Sequence, residues 1–184
     1  MADVAYIPND RTVVALSTYG NRFGVWKIDL SGNLTWKKTF GDTLTDALPS
    51  HIQYLQNQLL VSGSSMGDYY LLQMKMYRID LNGNVLNTVP VSGVHFSADI
   101  RSIDLISDGS YIIMAKIVET SLYGYNAVYK FDAHDQEEWE NIYDDLNYSR
   151  VIKQTADGGY ISSAVSSNTD EVELFKTNHY GQYY

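Results

Sequence analysis

Two arginines and a set of tyrosines are the residues of this chain best suited to hold a ligand. Arg101 and Arg150 open similar β-rich runs and occupy matching places in the sequence. A guanidinium pair beside phenol rings suits a carboxylate, a phosphate or an acidic sugar. The planar fork bonds such anions bidentately, and the rings add apolar faces with polar tips. Tyr69, Tyr70, Tyr123, Tyr125, His95 and Tyr148, with Tyr19 and Phe96, fall in polar segments that read as loops. The candidate ligand-binding set is therefore Tyr69, Tyr70, Tyr123, Tyr125, His95, Arg101, Tyr148 and Arg150. A plainer reading stands beside it. Each Arg would pair with a nearby acid such as Asp46, Asp99 or Asp145, and the tyrosines would follow β-propensity.

Catalytic motifs are mostly missing. The sequence holds no His-Glu-x-x-His, no Gly-x-Ser-x-Gly, no phosphate-binding loop, no dinucleotide glycine pattern and no calcium-loop spacing. His51, His95, His134 and His179 are scattered without ligand spacing, so no metal is expected. Asp144–Asp145 and Glu137–Glu138 are adjacent pairs on extended chain, where neighbours point to opposite faces and make poor acid–base couples. Carboxylates from different parts of the chain, such as Asp46 and Asp99, remain an open route to glycoside cleavage. No catalytic residue and no cofactor is expected.

The 184 residues carry a net charge of −9 and a pI near 4.7. An acidic surface repels phosphate backbones and anionic lipid, which argues against nucleic acid and membrane surfaces as partners. No apolar run approaches the roughly 18 residues of a membrane span, so membrane insertion is not expected. The absence of Cys excludes disulfides, thiolate metal sites and thiol catalysis. The start, MADVAYIPND, lacks the basic and apolar runs of a signal peptide; an exported protein would need a targeting segment not present in this chain.

The elements that must position these residues come from a repeat. Lys27-Ile28-Asp29, Arg78-Ile79-Asp80 and Lys130-Phe131-Asp132 share a signature that returns weakly at Lys176-Thr177-Asn178. Each copy runs into a tight turn, most clearly Ser31-Gly32-Asn33 and Asn82-Gly83-Asn84. The half-units before them, NDRTVVALS, QNQLLVSGS, SDGSYIIMA and ADGGYISSA, are each a polar turn followed by a β-rich run. Every unit thus predicts four short strands, A to D. Units of this length and make-up predict an all-β β-propeller of four four-stranded blades, at about 1–44, 45–96, 97–145 and 146–184, in one domain over 1–184. A closed four-bladed ring and a monomer are favoured. Half of a larger propeller, completed by a dimer, is the alternative. The fourth blade predicts only a D-strand stub at 182–184. Trp36 and Trp139 are expected as wedges between blades. The B–C and D–A connections are expected as long loops gathered on one face, carrying the Tyr and Arg set.

The DGGY turn at 157–160 and the stretch VWKIDLSGNLTWKKTFGD at 25–42 resemble bacterial DGGY-type repeats. The same C–D part is similar to the tryptophan-docking blades of quinoprotein-like propellers. Three departures stand out: Asn87 replaces the expected Trp in blade two, blade three lacks its turn Gly, and blade four ends before its Trp. The resemblance implies a secreted or cell-envelope propeller, hence an extracellular or periplasmic location. The expected function is non-catalytic: a binding or scaffolding module of a bacterial surface, periplasmic or secreted protein. Its partner would be a glycan or a protein segment held on the loop-rich face. A glycan hydrolase or lyase and a structural spacer repeat are the alternatives.

Overall fold

The computed structural model describes residues 3–41, 47–66, 72–89, 91, 97–120, 123–144, 146–166 and 171–183. They form antiparallel sheets joined in chain order, one per repeat. Blade one contains β1 (Asp3–Ile7), β2 (Thr12–Tyr19), β3 (Arg22–Asp29) and β4 (Leu34–Phe40). Blade two contains β5 (Ala47–Leu55), β6 (Gln58–Met66), β7 (Leu72–Asp80) and β8 (Val85–Val89). Blade three contains β9 (Ser97–Leu105), β10 (Tyr111–Thr120), β11 (Tyr123–Phe131) and β12 (Glu137–Tyr143). Blade four contains β13 (Leu146–Gln154), β14 (Tyr160–Ser166) and β15 (Val172–Thr177), and its fourth strand is only the bridge Thr177–Tyr183. The expected stub is therefore present at the expected place.

The repeated signature explains itself in local geometry. Its carboxylate closes the C–D turn from inside. Asp29 Oδ1 accepts the amides of Ser31 and Asn33 at 2.8 Å each. Asp80 does the same for Asn82 and Asn84 at 2.9 and 2.8 Å, and Asp132 for His134 and Gln136 at 2.8 Å each. Asn178 does it in blade four for Tyr180 and Gln182 at 2.9 and 3.0 Å. These bonds favour the charged form, and Asp29, Asp80 and Asp132 all sit below the usual carboxylate range. The turn needs a positive φ next: Gly32, Gly83 and Gly181 supply it, and Asp135 takes it at 66° in blade three. Asp135 is buried there and accepts the Tyr111 hydroxyl at 3.1 Å. The signature cation reaches the A–B turn or the start of the B strand: Lys27 to Asp10, Lys176 to Asp157, and Arg78 to Gln58 at 3.3 Å. In blades one and two both charged residues of the signature are thus structural.

Packing divides the chain into two compact units, Met1–Val94 and His95–Tyr184, each holding two blades. Each of the two tryptophans touches the neighbouring blade inside its own unit, Trp36 at Leu81 and Trp139 at Tyr160. In the first unit, Phe23 and Val25 of blade one bury against Ile52, Leu59 and Val61 of blade two. In the second, Val128 and Tyr143 bury against Ile152, Tyr160 and Phe175. Full burial of each such side chain stabilises by roughly 1.5–3 kcal/mol, against about 0–1 for an exposed ion pair. The apolar interblade faces, rather than the surface pairs, hold the blades together.

Among the described residues, strands run further into the expected loops of blades one and three than the sequence suggested. Blade one turns from β2 to β3 through Gly20 and Asn21 alone, and in blade three β10 runs to Thr120 and β11 starts at Tyr123. Tyr123 and Tyr125 therefore lie in strand β11, Tyr148 and Arg150 in β13, and Arg101 in β9. The cause is pairing: Ile117–Tyr125 and Val118–Gly124 extend the hairpin with β-branched and aromatic residues that favour strands.

Candidate functional site

Of the sequence-predicted residues, Tyr125, Arg101 and Arg150 have described side chains. Tyr69, Tyr70 and His95 lie outside the described residues, as do the side chains of Tyr123 and Tyr148. Tyr125 is buried, and its hydroxyl donates to Glu119 at 3.1 Å. Arg101 pairs with Asp99 at 3.3 Å. Arg101 and Arg150 do share a structural position: each sits where the A strand bulges out of register with its B strand. Arg150 is exposed and borders a shallow hollow of about 280 Å³ with Ser163, Val165 and Val172.

The larger concavity lies elsewhere, at the turn end of the second unit, between blades three and four. It is an open groove of about 600 Å³. Trp139 and Tyr160 form its base, edge to face with ring centres 5.9 Å apart. One wall is the A–B turn of blade three, with Asp108 and Ser110, joined by Lys130 and Glu138. The other wall is Gln154 and Gly158 with the C–D turn of blade four, His179 and Tyr180. The rings of His179 and Tyr180 lie 3.8 Å apart, and Tyr180 is 59% exposed.

Register explains why a groove opens here. In blade one, Lys27 donates to the Leu81 carbonyl at 3.2 Å, and the Trp36 indole N–H donates to the same oxygen at 3.0 Å. The turn of blade two is thereby drawn onto blade one. In the second unit Lys130 turns instead to Glu138 at 2.7 Å, and His179 stands where Leu81 stands. The blade-four turn is held from the outer strand, by Asn141 to the Tyr180 carbonyl at 2.7 Å and by Tyr143 to the Gly181 carbonyl.

The groove is mixed in charge. Asp108 accepts the Ser110 amide at 2.9 Å and its hydroxyl at 2.5 Å. These bonds, with Lys130 nearby, hold its carboxyl below the usual range. Burial, aided by the Glu138 and Asp108 charges, pushes the Tyr160 hydroxyl up to about 12, so it keeps its proton at neutral pH. Two carboxylates, one ammonium, two phenols, an amide, an indole and an imidazole thus surround an open trough. The arrangement can bond hydroxyl groups and stack on the apolar face of a ring. No three His, Asp or Glu among the described residues converge as metal ligands. Sequence reasoning placed Trp139 as a wedge but passed over Asp108, Lys130, Glu138, Tyr160, His179 and Tyr180. The signal was available in the repeat alignment, where His179 and Tyr180 replace Leu81 and Asn82.

No family model and no curated protein matches the sequence. Solved structures do. The Dos1 propeller overlays 96% of this chain with a TM-score of 0.69 at 8% identity. These sheets are β-propeller blades. A protein of unknown function from Bacteroides caccae overlays 93% of the chain with a TM-score of 0.59 at 10% identity. The chain spans 43% of the first structure and 55% of the second. Synechocystis apocarotenoid oxygenase also matches over 91% of the chain, but at a TM-score of only 0.49 for its cobalt-substituted form.

Proposed function

We propose that this chain is a non-catalytic binding module of an exported bacterial protein, and that the groove between blades three and four takes a glycan. The carrying observation is the groove itself: Trp139 and Tyr160 at its base, Tyr180 at its rim, and hydrogen-bonding groups on both walls. Asp108 and Glu138 outnumber Lys130, which favours a neutral or amino sugar over an acidic one. The acidic-sugar reading rested on the two arginines. Arg101 is engaged by Asp99, and Arg150 borders a different hollow. The exported location rests on the repeat resemblance alone.

The test is thermal unfolding with neutral, amino and acidic oligosaccharides, followed by titration calorimetry. A ligand at 100 times its dissociation constant adds about 2.7 kcal/mol to stability, readily seen as a shift in Tm. The shift should appear with neutral or amino sugars and vanish in Tyr180→Ala, whose own melting should stay close to wild type, and in Glu138→Gln, which also gives up the Lys130 ion pair. A shift that both variants keep would place the ligand elsewhere. No shift with any sugar would remove the glycan reading. Release of reducing ends during the titration would overturn the non-catalytic one.

A further inference from the structure

The blades supply a built-in standard for what each face should look like when covered. In blade one the face towards blade two is dry: Val14, Leu16, Phe23 and Val25 are all 0% exposed. In blade three the matching Ile112, Met114, Asn126 and Val128 are 0–1% exposed. The matching face of blade four is open. There Ile161 is 36% exposed, Val151 42%, Leu174 75% and Val172 76%. The last two are the most exposed large apolar side chains among the described residues. The 280 Å³ hollow beside Arg150 lies on this same face.

The opposite kind of face is open on blade one. In blade two, the face that receives blade one carries Ile52, Leu59, Val61 and Ile79 at 0–1% exposure. Tyr54 packs at the same cluster. In blade one, Val4 stands at the place of Ile52 and Tyr6 at that of Tyr54, and they are 48% and 50% exposed. Apolar side chains displayed in this pattern mark an interface.

The hydrogen bonds show that these two faces suit each other. Inside each unit, a side chain of the preceding A strand accepts an amide of the next one. Asp3 Oδ2 accepts Ile52 N–H at 3.0 Å, and Ser102 Oγ accepts Ile152 N–H at 3.2 Å. At the matching place blade four has Val151, which offers no side-chain acceptor. The matching amide on blade one, that of Val4, needs none, because Asp3 Oδ1 already accepts it at 2.8 Å. A face without an acceptor meets a strand without a free donor, so burial would leave no amide unpaired.

We infer that a second copy of this chain docks head to tail, with the open face of blade four in one copy covering the open face of blade one in the other. The contact repeats the blade-on-blade packing within each unit and differs from it only in crossing between chains. It is heterologous, so two copies close when each supplies one face of each kind, and otherwise extend.

Light scattering after gel filtration tests this, with charge placed on each face separately. Wild type should run at twice 20.8 kDa or more. Leu174→Glu and Tyr6→Glu should each run as monomers, since each removes one face from every copy. Mixed in equal amounts they should associate, because one sound face of each kind then remains in every pair. Val172→Glu and Val4→Glu provide a second pair should either first variant misfold by circular dichroism. A wild type that stays monomeric at high concentration would overturn the inference, as closure within one chain predicts. So would single variants that assemble like wild type. Monomeric variants that fail to associate on mixing would point to a two-fold face instead, and would equally sink the head-to-tail contact.

Discussion

The two interblade junctions use the same tryptophan to different ends. In the first unit Trp36 lies over Gly83 and bonds the Leu81 carbonyl, and Lys27 bonds the same oxygen. In the second, Trp139 lies over Gly181, but Lys130 leaves for Glu138, and Tyr143 and Asn141 hold the turn from outside. Phe40 and Lys38 occupy the places of Tyr143 and Asn141 in the first unit. One junction is closed around a shared carbonyl; the other is braced at its rim and left hollow at its centre. The lesson is that a groove can arise in a repeat protein by moving the hydrogen bonds that clamp a turn.

Replacing the tryptophans should separate the two junctions most strongly. Trp36→Ala is expected to cost about 3 kcal/mol, in the range for truncating a large packed aromatic. Trp139→Ala is expected to cost about 1 kcal/mol less, because no indole–carbonyl bond is lost with it. Urea denaturation with unchanged m values reads both. Equal costs would mean that the second junction is as tightly clamped as the first.

Glycines under the rings give the next effect. A Cβ at Gly181 would lie 2.7 Å from the Trp139 ring, and one at Gly83 would lie 3.1 Å from the Trp36 ring. Both have positive φ, as does Gly32, whose added Cβ would meet nothing within 4 Å. Gly32→Ala should therefore cost about 1 kcal/mol from backbone strain alone. Gly181→Ala should cost about 3 and Gly83→Ala about 2, the excess being crowding against the ring together with the Asn141 or Lys38 side chain. If all three cost the same, the tryptophans do not press on these turns.

Much of the fold was legible because its causes are local and repeated. Lys27-Ile28-Asp29 and its copies recur since each carboxylate must accept two turn amides, and that requirement is written in adjacent residues. The stub of blade four was legible for the same reason, through Asn178 and Gly181. The site was less so. Tyr123 and Tyr125 read as loop residues, but cross-strand pairing, which depends on a partner strand, drew them into β11. The groove depends on which of two acceptors Lys130 chooses, and that choice is made between residues eight apart rather than by any motif.

Tyr143 makes a smaller test of the braced junction. Its hydroxyl is buried and donates to the Gly181 carbonyl, and desolvation holds its ionisation well above the ordinary phenol range. Tyr143→Phe should cost about 1 kcal/mol through the unpaired carbonyl, and it should loosen the groove wall formed by Tyr180. The reciprocal Phe40→Tyr should not stabilise the first unit, where the turn is already clamped by Lys27 and Trp36. A stabilising Phe40→Tyr would show that the rim brace is better than the central clamp and that the first unit lacks it by accident.

Acid gives the smallest difference, and it distinguishes blade two from blade four. Asp80 sits below its ordinary pKa because it accepts the Asn82 and Asn84 amides and the Asn84 side chain, which together outweigh its desolvation. A carboxyl whose folded pKa is depressed adds stability that is fully present above its unfolded value, near 4. That stability is lost as pH falls through the lower folded value. Asn178 does the same work in blade four with no charge to titrate. Asp80→Asn should therefore lower Tm slightly at pH 7 and flatten the fall in Tm below about pH 4. Asn178→Asp should do the reverse, steepening the acid limb while changing little at neutral pH. If Asp80→Asn left the acid limb as steep as before, the turn carboxylates would not be what couples these blades to pH, and the carboxylates of the groove, Asp108 first, would be the next to replace.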